Sequence, residues 1–222
     1  MGPILWPWGD GTEYALAVDR GRGRRLLIVP ALFDEGNRMR RLTVETMRRL
    51  DAAGIDSVLP DLPGTNESLQ PPEAQTCGSW GEAMVTAARH FGATHTLGIR
   101  GGCLFAPHAL PGWHYVPVKG ASVLRQMMRA RVIASREAGT QETTADLAAV
   151  AEAEGIDLIG YRLGAEFVRT FNALEVQPGN VIEQPALGAG LLGPGLWLRA
   201  EPGESAEQAD ALAALLVAGM GA

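Results

Sequence analysis

Leu97-Gly98-Ile99-Arg100-Gly101-Gly102 is the stretch that decides the fold. Thr94 to Ile99 reads as a short strand, the paired glycines stop it at once, and the small apolar segment Cys103 to Leu110 begins the next helical piece. A strand, a sharp turn and a helix in that order form the setting in which Gly-x-Ser-x-Gly displays a nucleophile at the head of a sheet. Here the pattern is Gly98-x-Arg100-x-Gly102. The flanking glycines follow from geometry: the central residue is forced into a strained turn, and only residues without a β-carbon let helix and strand approach closely around it. An arginine cannot attack, because its guanidinium stays protonated at any accessible pH and offers donors only.

Outward from this turn, strands alternate with helices. Thr12 to Asp19 and Leu26 to Val29 read as strands joined through Arg20-Gly21-Arg22-Gly23, an expected hairpin. A polar loop over Asp34 to Asn37 leads to Met39, Leu42, Val44, Met47 and Leu50, which recur near helical spacing up to Gly54. Ile55 to Leu62 is an apolar run closed by Pro63-Gly64, and Ser79 with Glu82 three residues on predicts the N-cap of a helix through Phe91. After the turn come a strand over Trp113 to Val118 and helices over Val123 to Glu137 and Thr144 to Ala153. An extended segment, Ile156 to Tyr161, precedes a helix over Glu166 to Leu174. Strands are expected at Val181 to Gln184 and Leu196 to Ala200, separated by a Gly- and Pro-rich loop over Pro185 to Gly195, and Glu204 to Met220 is a closing helix rich in Ala and Leu. The alternation predicts an α/β protein with a mostly parallel twisted sheet covered by helices on both faces, α/β-hydrolase-like, with a small helical insertion about residues 120–155.

Composition bounds the rest. At 222 residues, 46% apolar and 20% charged, the chain is expected to form a single domain spanning residues 1–222. A net charge of −6 and a pI near 5.3 argue against phosphate-backbone binding, so nucleic acid is not an expected partner. The arginines at 20, 22, 24 and 25, and those at 38, 40, 41, 48 and 49, read as solvated surface. Two cysteines, Cys77 and Cys103, make no disulfide framework, and neither a signal peptide nor a run of about 18 apolar residues is present, which points to the cytoplasm.

The other ingredients of acyl transfer are missing too. In this kind of sheet the triad order is nucleophile, acid, histidine, and no histidine lies beyond His114. His108 and His114 fall too early for a base and read as structural or surface residues. Cys103, one turn past Arg100, is the remaining nucleophile candidate, although packing against the sheet is the more ordinary role for it. Histidine spacing gives no metal set, and no phosphate-cradling glycine loop is present, so neither a metal nor a cofactor is expected. Arg100 can instead present forked donors to an anion in the crevice above the strands, or pair with Asp34 or Glu35 as a conformational lock. Asn37 and Tyr161 complete the candidate pocket.

Several stretches together resemble a known family, the second of two α/β-hydrolase-like families associated with exosortase A systems of bacterial exopolysaccharide loci. They are Asp34-Glu35-Gly36-Asn37-Arg38-Met39-Arg40-Arg41, Pro60-Asp61-Leu62-Pro63-Gly64 with Ser68, Gly98 to Leu104, Pro117-Val118-Lys119-Gly120 with Leu124-Arg125-Gln126, and Ile159-Gly160-Tyr161-Arg162-Leu163. The similarity covers roughly residues 25 to 175. It implies that arginine at the elbow is the family's usual state, and it implies a role around exopolysaccharide synthesis or protein export. The chain departs from the family in Val116, in its shorter length and in the Gly-rich stretch after Pro178. Two readings stay open: a catalytically silent protein binding a small anionic or saccharide-linked molecule or a partner protein, and a hydrolase acting on a small ester or saccharide-linked substrate by a non-standard mechanism.

Overall fold

The computed structural model describes residues 1–183, 195–199 and 201–221. Its sheet begins with β1 (Gly2–Trp8) and β2 (Gly11–Val18), which form an antiparallel hairpin with Trp8 opposite Gly11. Then follow β3 (Arg25–Val29), α1 (Asp34–Ala52), β4 (Asp56–Pro60), α2 (Cys77–His90), β5 (His95–Ile99) and β6 (Gly112–Tyr115). Beyond β6 the chain builds α3 (Gly120–Glu137), α4 (Thr144–Glu154), the two-stranded hairpin β7 (Ile156–Leu158) and β8 (Tyr161–Leu163), and α5 (Ala165–Asn172). It returns to the sheet as β9 (Asn180–Ile182), and α6 (Ala206–Gly221) closes it. Seven strands lie in the order β1-β2-β4-β3-β5-β6-β9, and every pairing from β4 to β9 is parallel.

Alternation along the central strand splits the core in two. Leu26 and Ile28 face α1 and α6 together with Met39, Leu42, Leu50 and Leu216, while Leu27 and Val29 face the other side with Trp80, Met84, Leu124, Phe167 and Phe171. A strand buried on both faces reads as a continuous apolar run, which is what Leu26 to Val29 shows.

Several expectations are corrected. The expected hairpin of Thr12 to Asp19 with Leu26 to Val29 does not form: β2 pairs with β1 on one side and with β4 on the other. The polar stretch Asp34 to Asn37 is no loop but the first turn of α1, where two carboxylates suit the positive helix end. Thr76, not Ser79, is the N-cap of α2; Ser79 sits three residues on and returns a bond to the Thr76 backbone, completing a capping box. The segment after the elbow is a 3₁₀ helix, Arg100–Phe105. The extended run from Ile156 breaks at Ile159-Gly160 into β7 and β8. Leu196–Leu198 is a 3₁₀ turn rather than a strand. Gln184, Ala200 and the expected loop of Pro185 to Gly195, except Gly195 itself, lie outside the described residues.

Among the described residues no helix is long and apolar enough to cross a membrane. The arginines near residue 22 are ion-paired rather than simply solvated: Arg20 and Arg22 bind Asp51, and Arg22 and Arg25 reach the buried Asp56.

Candidate functional site at the head of the sheet

The turns leaving β3, β4, β5 and β6 share one end of the sheet, and each carries a non-glycine residue at positive φ: Phe33 (53°), Asn66 (48°), Arg100 (53°) and Val116 (45°). Such residues persist only where the surroundings over-determine them, and they cluster at clefts and switch points. Arg100 sits in the elbow itself. A β-carbon on Gly98 would lie 2.6 Å from Cys103 Cα, and one on Gly102 would lie 2.2 Å from the Pro30 carbonyl oxygen. The turn therefore depends on both glycines, as the Gly-x-Arg-x-Gly pattern implied.

The guanidinium of Arg100 does not face open solvent. Its Nε and Nη2 donate to the two oxygens of Glu35 at 3.1 and 3.0 Å, and its Nη1 donates to the Val116 carbonyl at 3.1 Å. Trp197 lies over the guanidinium, with Cζ 4.4 Å from the ring centroid. Arg100 is 8% exposed and Glu35 6%. A forked pair of this kind has the geometry that makes arginine bind carboxylates most strongly. It joins the element that follows β3 to the turn that follows β5, neighbouring strands of the sheet, at the end where open α/β sheets bind their ligands.

Asp34, the other carboxylate expected to reach Arg100, turns outward to bind Arg38. Arg38 in turn donates to the Trp197 carbonyl at 2.9 Å. Adjacent residues of the first turn of α1 thus hold both ends of the same contact: Glu35 grips the cation beneath Trp197, and Asp34 braces the arginine that fixes the Trp197 backbone.

Asn37 and Tyr161 are not part of this cluster. They line a separate cavity over the ends of β3 and β4, together with Phe33, Arg40, Asn66 and Trp80. The candidate residues therefore fall into two neighbouring groups: Arg100 with Glu35, and Asn37 with Tyr161.

Cys103 is fully buried, and burial pushes its thiol up to about 12 despite the nearby Arg100 cation. A thiol that holds its proton so firmly is a poor nucleophile. His114 is buried in β6 with its pKa lowered by burial and then by the proximity of His108, and its Nδ1 has no hydrogen-bond partner among the described residues. His108 lies exposed beyond the 3₁₀ turn. Among the described residues no group of three or more His, Cys, Asp or Glu side chains is placed to hold a metal ion.

The arrangement has counterparts among solved structures. It superposes on alpha/beta hydrolase domain-containing protein 10 from mouse with a TM-score of 0.56, at 11% identity, over 82% of this chain and 77% of that one. The chain has the α/β-hydrolase fold. The alpha/beta hydrolase GrgF from Penicillium sp. sh18 matches with a TM-score of 0.51, at 14% identity, over 82% of this chain and 78% of that one. No family model matches the sequence, and no curated protein does. In the α/β-hydrolase fold the turn after β5 is where a nucleophile stands, and Arg100 occupies that turn here.

Trp197 and the Val116 carbonyl escaped the sequence reading. A buried arginine needs several acceptors, so one carboxylate was foreseeable. A ring and a carbonyl delivered from distant segments carry no local spacing that would reveal them. Asp61 stood inside a quoted stretch, but nothing there showed that it meets Asn66 across a turn.

Proposed function

We propose that this chain is a catalytically silent α/β-hydrolase-fold protein, a single domain with α3, α4 and β7–β8 as a cap, in which Arg100 and Glu35 form a structural lock. Its role on this reading is to bind a small ligand or a partner protein in an exopolysaccharide- or exosortase-linked process in the cytoplasm. The observation that carries the proposal is the two-pronged Arg100–Glu35 pair in the crevice that a hydrolase keeps for substrate. Two sequence facts support it: the residue in the elbow cannot attack, and no histidine follows His114. The link to exopolysaccharide systems rests on the family resemblance alone. Of the two earlier roles for Arg100, the lock is favoured over anion contact, because Glu35 already occupies the fork that would grasp an anion.

The alternative, hydrolysis by a non-standard mechanism, lacks a poised group, since Cys103 keeps its proton to about pH 12. The test uses wild-type protein and the Arg100→Ser variant, each treated with a serine-directed phosphonate probe and assayed on acyl esters of several chain lengths. Neither should be labelled or active, because a serine at residue 100 would still lack a base. Labelling of any serine in the wild type, with loss of an esterase activity, would overturn the proposal.

A further inference from the structure

Helix α2 buries Trp80, Ala83, Met84, Ala87 and Ala88, the i, i+3, i+4, i+7, i+8 spacing of a single apolar stripe. The opposite stripe is Gly78, Glu82, Val85 and Arg89, with Gly81 beside it. Together with Trp8 at the end of β1 and residues 104–108 after the elbow, this outward stripe lines an open groove of about 570 Å³. Val85 is 44% exposed there. Gly81 lies inside the helix, where glycine costs stability, yet a β-carbon on it would meet nothing within 4 Å. The folded chain gives no steric reason for that glycine, whereas a second backbone passing close to α2 would.

Charge identifies that second backbone. Glu82 and Arg89 are both exposed, and among the described residues neither side chain has an ion pair or hydrogen bond. They stand two helical turns apart, about 10 Å along the axis, too far to pair with each other. An acidic partner would meet Arg89 but oppose Glu82, and a basic partner would do the reverse. A two-fold contact sets the same patch against itself, so that patch has to be self-complementary, and a stripe with an acid, an apolar residue and a base in that order has this property. Laid antiparallel about a two-fold axis beside Val85, two α2 helices bring Glu82 of each copy opposite Arg89 of the other, with the two Val85 side chains between these pairs. We propose that the chain forms a homodimer through this face of α2, with Val85 at its centre, two Glu82–Arg89 pairs across the axis and Gly81 where the helix backbones approach. No residue of the Arg100–Glu35 pair takes part, so the dimer is independent of the lock.

Sedimentation equilibrium of the full chain at low ionic strength, where exposed charge pairs are least screened, tests the proposal. A contact built on one helix face lies at the small end of specific interfaces, so wild type should pass from monomer to dimer with a dissociation constant of about 1–100 µM. Glu82→Arg and Arg89→Glu each set like charges opposite one another twice, and each should weaken the dimer at least about tenfold. An equimolar mixture of these two variants restores both opposite-charge pairs and should form a heterodimer close to wild type in affinity, an outcome that a folding defect in either variant would not give. Gly81→Leu, which has open space in the monomer, should abolish association while keeping its melting temperature. A wild type that stays monomeric up to about 1 mM, charge variants that dimerise as wild type does, a mixture no tighter than its components, or a Gly81→Leu protein that still dimerises would each overturn the proposal. None of these outcomes bears on the probe result that tests the lock.

Discussion

The Arg100 guanidinium carbon lies over the Trp197 ring, 4.4 Å from its centre, although the two residues stand far apart in the chain. The contact closes the Arg100–Glu35 pair against solvent, and Arg38 pins the Trp197 carbonyl from the other side. The turn at Leu196–Leu198 is therefore tied to the elbow by a ring contact and to α1 by a hydrogen bond.

Removal of that cover should be costly. Trp197→Ala leaves a hole over a charge, and large-to-small changes at buried tryptophans cost about 3–5 kcal/mol. Trp197→Phe keeps a ring over the cation and should lose less than about 2 kcal/mol. Urea unfolding of both variants measures the difference.

The thiol of Cys103 should be inert in the folded protein. Burial pushes its pKa up to about 12, so the thiolate is scarce at pH 8, and the side chain is fully buried. A thiol reagent at pH 8, followed by peptide mapping, should leave Cys103 unmodified until denaturant is added. Rapid native labelling of Cys103 would revive it as a nucleophile.

Glu13 offers a pH test. It is fully buried, accepts a bond from Ser68 at 2.9 Å, and has one oxygen without a partner among the described residues. Burial raises its pKa above the ordinary 4.5, and the Asp61 charge adds to the rise. Between the unfolded and the raised folded pKa, the folded state holds a proton that the unfolded state has released. Glu13 therefore makes stability fall as pH rises through that window. Glu13→Gln retains an acceptor for Ser68 and removes the buried charge. Its unfolding free energy should exceed that of wild type at pH 7, and the advantage should shrink as pH falls toward 4.5. Equal stability at both pH values would contradict this account.

How far the sequence reached depends on how local each signal is. The elbow was legible from the spacing of its glycines, although only Gly98 answers a local demand, against Cys103, while Gly102 gives way to the carbonyls of Val29 and Pro30. The alternation of apolar runs gave β3 to β6 and the helices between them, since a strand buried on both faces has few other ways to be written. The first strand was missed because Pro3 and Pro7 argue against a strand, yet β1 is an edge strand, where proline is tolerated. With β1 unseen, the hairpin was assigned to the wrong neighbour. Asp34-Glu35-Gly36-Asn37 has a loop's composition, but its two carboxylates are what a helix N-terminus attracts, and one of them also serves the lock. At the site, the need of a buried cation for a carboxylate pointed to Asp34 or Glu35 without choosing between them. The separation of Asn37 and Tyr161 into another cavity did not, because it depends on where the Phe33 backbone turns.

The most direct measurement is a double-mutant cycle on the lock by denaturant unfolding, using Arg100→Met, Glu35→Leu and the pair together. Each single change strands a buried charge and should cost about 3–5 kcal/mol. The double variant, with no charge left to strand, should be far more stable than the sum of the two predicts, a coupling above about 2 kcal/mol. Single variants near wild-type stability, with effects adding to within about 0.5 kcal/mol, would mean that Arg100 and Glu35 do not hold the head of the sheet together.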